Sequence, residues 1–128
     1  MDEQQRYEAG LAVRREVLGE AHVERSLEAR TEFTEEFQAF ITRTAWGTVW
    51  TRDGLPRHTR SLLTIVMMVA LGHDEEFKLH IQAARNNGVT AAQIKEALLQ
   101  AAIYCGVPAA NHAFALARPI LEAQAAEG

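Results

Sequence analysis

The chain has 128 residues, a hydrophobic fraction of 48% and a formal net charge of −4 at pH 7. This length suits one domain, residues 1–128, with a buried core, and the composition is typical of a globular protein rather than a disordered or fibrous one. The acidic balance and the lack of a basic stripe exclude nucleic acid as an expected partner.

The N-terminal segment MDEQQRYEAG is polar and acidic, without the basic and then apolar order of a signal peptide, and it predicts a cytoplasmic protein. The most apolar run, from Ser61 to Gly72, is shorter than the roughly 18 residues that a membrane span needs, so no membrane partner is expected. Cys105 is the single cysteine, which excludes an intrachain disulfide and a CxxC redox pair.

Apolar residues recur at spacings of three and four along the chain, which predicts an all-α fold. The first helix is expected from about Glu3 to Val17, with Gly19 at its end, and the segment HVERSLEAR follows as a short helix or loop. The expected apolar side of this first helix carries Tyr7, Leu11, Arg14 and Leu18. A third helix is expected to begin near Thr31 or Thr34. Its stripe, a core-facing or subunit-facing surface, consists of Phe33, Phe37, Phe40 and Ile41.

The segment AWGTVWTRDGLPRHTR interrupts this periodicity. Gly47, Gly54 and Pro56 act as turn signals in it, so it is expected to be the longest non-helical stretch. Pro56 suits the first turn of the next helix, which is predicted to run to Leu71 and to end at Gly72.

Three further helices are predicted after Gly72. Asp74 is expected to cap the first of them, which ends at the left-handed Gly88 of NNG. Thr90 and Gln93 form a capping box for the second, and Pro108 begins the third.

The stretch HDEEFKLHIQAARNNG places His73, Glu76 and His80 at spacings of three and four, which bring them toward one helix face. These side chains can bind a metal, transfer protons or only fill a core. A shared metal ion is disfavoured, because His73 and His80 are separated by about 10 Å of helix axis at about 1.5 Å of rise per residue. No metal site is therefore predicted.

Three segments together resemble the carboxymuconolactone decarboxylase family: ITRTAWGTVWTRDGLPRHTRSLLTI, KLHIQAARNNGVT and EALLQAAIYCGVPAAN. Each alone is a weak signal, but their joint occurrence in this order is specific. The likeness extends from about Tyr7 to Leu121 and implies a helical fold of six to seven helices, shared with the alkyl hydroperoxide reductase D-like proteins.

The reductases of that superfamily carry C-x-x-C-x-x-x-H on the corresponding helix. When that pattern is laid on this chain, His73 and Glu76 occupy the cysteine positions and His80 the histidine position. The proton-relay glutamate of the reductases would fall near Ser61, which cannot perform that task. A dithiol needs two cysteines within bonding distance, so the redox alternative is disfavoured.

The resemblance implies conversion of 4-carboxymuconolactone to the β-ketoadipate enol-lactone and carbon dioxide, in the protocatechuate branch of aromatic catabolism. The lactone carbonyl of this small dicarboxylate accepts the electrons that decarboxylation releases, so no cofactor is expected. The resemblance also implies a homo-oligomer, commonly a hexamer in the family. A non-catalytic helical oligomer that binds a small ligand remains the alternative.

His80 is the candidate proton donor, because imidazole can give and regain a proton near neutral pH. Glu76, one turn earlier, can orient the ring or keep it charged. The alternative is a histidine packed at a helix interface.

Arginine suits carboxylate capture because its planar fork makes two parallel hydrogen bonds. Arg57 and Arg60, with His58 between them, lie at the expected start of a buried helix, whose free amides also attract anions. Arg85 is a second candidate. For each arginine the alternative is a surface salt bridge.

Trp46 and Trp50 are candidate walls of a dry substrate pocket, with a core or subunit contact as the equal alternative. Tyr104 precedes a Cys-Gly corner between two predicted helices, which can aim backbone amides at an oxyanion. Tyr104 is the last of the predicted substrate-binding residues.

Overall fold

The computed structural model describes all residues from Met1 to Gly128. The chain forms two compact units, Met1–Arg57 and His58–Gly128. It is all-α, as predicted, with seven α-helices, one π-helix and one 3-10 turn. None of these helices is both long and apolar enough to cross a membrane.

The first unit contains three α-helices and the π-helix: α1 Glu3–Leu18, α2 Glu20–Glu28, α3 Glu35–Ile41 and the π-helix Thr42–Val49. A capping box between Asp2 and Gln5 begins α1, and Gly19 ends it as predicted. The segment HVERSLEAR lies mainly in α2. Phe33 precedes α3 and is 95% exposed, so it does not share the helical stripe of Phe37 and Phe40.

The prediction of a long non-helical stretch around the tryptophans was wrong in its first half. The chain continues directly from α3 into the π-helix, where the Trp50 amide donates to the Ala45 carbonyl, five residues earlier, over 3.0 Å. Only the residues from Trp50 to Pro56 lie outside a helix.

Gly47 is therefore part of a helix and not of a turn. A Cβ atom at Gly10 of α1 would overlap the Thr42 carbonyl oxygen and lie 2.8 Å from the Gly47 nitrogen. A Cβ atom at Gly47 would overlap the Arg6 carbonyl oxygen. The backbones of α1 and the π-helix thus touch, which only glycine permits at these two positions.

The second unit contains four α-helices and a 3-10 turn: α4 Arg57–Leu71, which begins at the last residue of the first unit, α5 Asp74–Ala83, the turn Ala84–Asn87, α6 Ala91–Cys105 and α7 Val107–Ala126. Gly88 adopts the predicted left-handed conformation, with φ of 78°. Thr90 and Gln93 form the predicted capping box of α6.

One hydrophobic core joins the helices of this second unit. Phe77, Ile81, Ile65, Ile94 and Leu98 are its largest buried side chains, all at most 2% exposed. Small alanines of α7 pack against them and let the helices approach closely. This core fixes the positions of α4, α5 and α6, which carry most of the predicted site residues.

Candidate functional site

His80 lies in the last turn of α5, one turn after Glu76. Its neighbours Phe77 and Ile81 are buried in the core, whereas His80 is half-buried and Glu76 is exposed. A rigid helix therefore holds an imidazole at the edge of the core, which suits a group that must be aimed at a reacting atom.

His73 precedes α5 and is exposed, and its carbonyl oxygen accepts from the Phe77 amide over 2.8 Å. The prediction that Asp74 caps this helix was wrong by one residue. Asp74 is the first helical residue, and its carboxylate accepts a 2.8 Å hydrogen bond from Nε2 of His112 instead. No group of three or more His, Cys, Asp or Glu side chains is placed to hold a metal ion.

Arg60 lies in the first turn of α4 and is half-buried. Its Nε atom is buried and has no hydrogen-bond partner, and no ion pair neutralises the guanidinium. The hydroxyl of the adjacent Ser61, which is 1% exposed, also has no partner. Buried donors that lack acceptors are costly, so this end of α4 is chemically suited to an anion.

His58, in the same turn, is bound to the start of α6. Its Nε2 atom lies 2.8 Å from Oε1 of Gln93, and that oxygen also accepts from the Thr90 amide over 2.9 Å. Because Oε1 can only accept, Nε2 of His58 must carry a proton and donate it. His58 thus ties the first turn of α4 to the capping box of α6.

The other two candidate arginines, Arg57 and Arg85, form surface salt bridges, which was the alternative to substrate binding. Arg57 pairs with Glu16 of α1, and Nη1 of Arg85 lies 2.7 Å from Oε2 of Glu127. All four side chains are at least 39% exposed. Such pairs contribute little stability, but a substrate carboxylate would have to compete with them.

Trp46 and Trp50 stack on each other, with ring centroids 5.1 Å apart and an angle of 29° between the ring planes. Trp46 is buried and Trp50 is half-buried. Tyr104, near the end of α6, is 83% exposed. The described cavities within the two units, of about 530, 350 and 180 Å³, are not lined by any of the predicted site residues.

Sequence reasoning assigned no function to Arg14, although the structure gives it an unusual environment. It is buried in the first unit, at 5% exposure, and has no acidic partner. The signal was present, since an arginine stands among Tyr7, Leu11 and Leu18 on the apolar side of α1.

The model of the Carboxymuconolactone decarboxylase family matches residues 35–119. The chain is 52% identical over 122 residues to a 4-carboxymuconolactone decarboxylase of Acinetobacter baylyi (strain ATCC 33305 / BD413 / ADP1), a match that covers 95% of this chain and 91% of that protein.

Two further relatives are similar over shorter regions. Nitrosuccinic acid decarboxylase npaB of Metarhizium robertsii (strain ARSEF 23 / ATCC MYA-3075) is 48% identical over 102 residues, 80% of this chain and 71% of that protein. A 4-carboxymuconolactone decarboxylase of Pseudomonas putida is 62% identical over 47 residues, 37% of this chain and 98% of that sequence. The chain belongs to the carboxymuconolactone decarboxylase family.

Proposed function

We propose that this chain is a carboxy-lyase that converts 4-carboxymuconolactone to the β-ketoadipate enol-lactone and carbon dioxide. The observation that carries this proposal is the 52% identity, over 95% of the chain, to a protein named for that activity. The buried, unneutralised donors at the start of α4 support it, because the substrate is a small dianion.

The chemistry makes few demands on the protein. The departing carboxylate sits on a ring carbon that a carbon–carbon double bond joins to the lactone carbonyl. When carbon dioxide leaves, the electron pair moves through that bond into the carbonyl oxygen and gives a dienolate. The protein must hold the remaining carboxylate, stabilise the oxyanion and protonate the carbon next to the carbonyl.

We assign the protonation to His80. It is held on α5 between two core residues, so its ring is positioned by packing rather than by a mobile loop. Glu76 is exposed and acts on His80 through its charge across one helical turn. General acid catalysis is typically worth about 10²- to 10⁴-fold, which sets the size of the effect expected for His80.

Among the predicted carboxylate-binding arginines, we assign the main role to Arg60. Its Nε atom is buried without a partner, whereas Arg57 and Arg85 already pair with carboxylates. Trp46, Trp50 and Tyr104 remain proposed substrate contacts. A poorly solvated aromatic wall would favour loss of carbon dioxide, because that step removes a charge from the departing group.

The relative named for nitrosuccinic acid supplies a second candidate substrate. Nitrosuccinic acid is also a small dicarboxylic acid, and its nitro group can accept the electrons that decarboxylation releases. The same protein groups, an arginine for the retained carboxylate and a proton donor for the resulting carbanion, would serve both reactions. The two activities are therefore distinguished by substrate and not by machinery.

The decisive experiment gives each substrate to the purified chain. Loss of the ultraviolet absorbance of 4-carboxymuconolactone, with an equal amount of carbon dioxide released, is the expected result. Release of carbon dioxide from nitrosuccinate alone would identify nitrosuccinate, the second candidate, as the substrate. Release from neither would contradict the decarboxylase proposal and favour the non-catalytic alternative.

We also propose that the chain is one functional domain, acts in the cytoplasm and forms a homo-oligomer, a hexamer by analogy with the family. The exposed side chains of Phe33, Phe37 and Phe40, at 95%, 60% and 53%, support association, because such a surface is costly to leave in water. Light scattering coupled to size-exclusion chromatography gives the subunit number directly, and a monomer would contradict this part.

A further inference from the structure

Arg14 is a buried cation in the first unit. It lies on α1 and is 5% exposed. Its Nη1 atom is 3.2 Å from Oε1 of Gln38 and 3.4 Å from Oγ1 of Thr42, and its Nε atom is buried with no hydrogen-bond partner. Both partners are neutral, and no carboxylate forms an ion pair with this guanidinium.

This arrangement lowers the stability of the fold. A buried charge normally has an opposite charge beside it, since desolvation otherwise exceeds what neutral hydrogen bonds return. Burial lowers the pKa of the Arg14 guanidinium. The charge also acts on His22, whose pKa is lowered by burial first and then by Arg14 and Arg25. The interior of this unit therefore carries positive charge that nothing in the unit neutralises.

We propose that Arg14 is an anion-binding residue that takes the carboxylate of a small molecule. The Oε1 atom of Gln38 lies where one carboxylate oxygen would lie, at hydrogen-bond distance from Nη1. A carboxylate that displaces the half-buried Gln38 side chain can therefore accept a charge-assisted hydrogen bond from Nη1 and neutralise a guanidinium whose Nε has no partner. The ligand is either the substrate of the proposed reaction or another carboxylate metabolite.

Three variants of the full-length chain test this proposal. Arg14→Met removes the charge and keeps much of the volume. Gln38→Glu places a permanent carboxylate where the ligand is expected to bind. Arg15→Met is the matched control, because the neighbouring Arg15 is partly exposed and pairs with Glu20 and Glu24.

The probe is adipate, with uncharged 1,6-hexanediol as its comparison. Binding is followed by calorimetry and by the Nε–Hε signals in a ¹H–¹⁵N NMR spectrum, where Arg14→Met identifies the Arg14 signal. In the wild-type chain, adipate and not the diol should shift that signal. Arg14→Met and Gln38→Glu should weaken adipate binding by about 10- to 100-fold, while Arg15→Met binds normally.

Thermal unfolding separates ligand binding from a structural role. If Arg14 is kept for a ligand, Arg14→Met should unfold at the same temperature as the wild type or higher, since it removes an unpaired buried charge. Gln38→Glu should raise the unfolding temperature because it neutralises that charge. A lower unfolding temperature in Arg14→Met, with adipate binding within about threefold of wild type, overturns the proposal.

Failure of the wild-type chain to bind adipate, or an unshifted Arg14 signal, also overturns it. If Arg14→Met does not fold, the proposal is tested by adipate binding to Gln38→Glu and by the shift of the Nε–Hε signal that adipate causes in the wild-type chain. Kinetics then identify the source of the carboxylate. If the KM for the lactone rises in Arg14→Met by as much as adipate binding weakens, the bound carboxylate belongs to the substrate. Unchanged kinetics in this variant assign the carboxylate to another metabolite. Adipate binding remains measurable if the chain proves not to be a decarboxylase.

Discussion

The imidazole of His58 donates from Nε2 to Oε1 of Gln93 over 2.8 Å, and so joins the first turn of α4 to the first turn of α6. The same oxygen closes the capping box with Thr90. The side chain of His58 is thus used for a contact between helices, while its neighbour Arg60 has a buried donor without a partner. Two residues that sequence reasoning grouped as one anion clamp have different roles.

Replacing His58 by alanine should therefore reduce stability. Loss of one hydrogen bond at a helix junction is expected to lower the free energy of unfolding by about 1 kcal/mol, as measured by urea denaturation. His73→Ala is the matched control, because His73 is exposed and its side chain makes no hydrogen bond. Equal stability of the two variants would argue against the structural role of His58.

Replacing His80 by glutamine should lower kcat for the lactone by about 10²- to 10⁴-fold, because the proton donor is lost while the helix is kept. An ionisation in the wild-type pH–rate profile should be absent from this variant. Glu76→Gln is the comparison, with an expected loss below about threefold, since exposed pairs one turn apart are worth only about 0.2–0.5 kcal/mol. A His80→Gln enzyme with normal kcat would remove His80 from the chemistry.

Replacing Arg60 by glutamine should raise the KM for the lactone by about 10- to 100-fold, because a charge-assisted hydrogen bond to the substrate carboxylate is lost. Arg85→Gln should leave KM within about twofold, since Arg85 pairs on the surface with Glu127. Steady-state kinetics of both variants provide the check. The assignment of Arg60 as the main clamp fails if the two variants show the reverse order.

Replacing Gly10 by alanine should destabilise the first unit by about 1–3 kcal/mol, because the added methyl group overlaps the Thr42 carbonyl oxygen and forces α1 away from the π-helix. Gly54→Ala is the control, since a Cβ atom there has no neighbour within 4 Å. Chemical denaturation of both variants measures the difference. A fully stable Gly10→Ala chain would be inconsistent with this close backbone contact.

His22 should make stability depend on pH. Burial first, and then the charges of Arg14 and Arg25, lower its pKa in the folded chain. The unfolded chain, with a histidine pKa of about 6.5, then binds the proton more readily. The free energy of unfolding should therefore fall as the pH falls from about 6.5 toward the lowered folded value, and this contribution should be constant at higher pH.

Urea denaturation at a series of pH values tests this effect by comparing the wild type with His22→Gln, which should lack this part of the acid sensitivity. Arg14→Met should reduce it only in part, because burial is the larger cause. An unchanged pH dependence in His22→Gln would show that other groups produce it.

Local signals predicted much of the fold correctly. Gly19 and Gly88 end helical segments where expected, and Thr90 with Gln93 begins α6, because capping depends on residues within about four positions of each other. The spacing of apolar residues predicted the all-α class, because this spacing is also a pattern of residues that are close together in the sequence. The segments typical of the family and the placement of His80 on a helix could also be predicted from the sequence, since both depend on patterns of nearby residues.

Only the tertiary structure decided which partners the remaining residues have. Gly47 looked like a turn signal, but it lies in a π-helix pressed against α1. Arg57 and Arg85 find their carboxylates 41 and 42 residues away, whereas Arg14 is buried beside neutral groups. Sequence by itself determined the helix boundaries at Gly19, Gly88 and Thr90, because capping is local. Packing decided which charges are paired, because ion pairs and burial depend on residues that are distant along the chain.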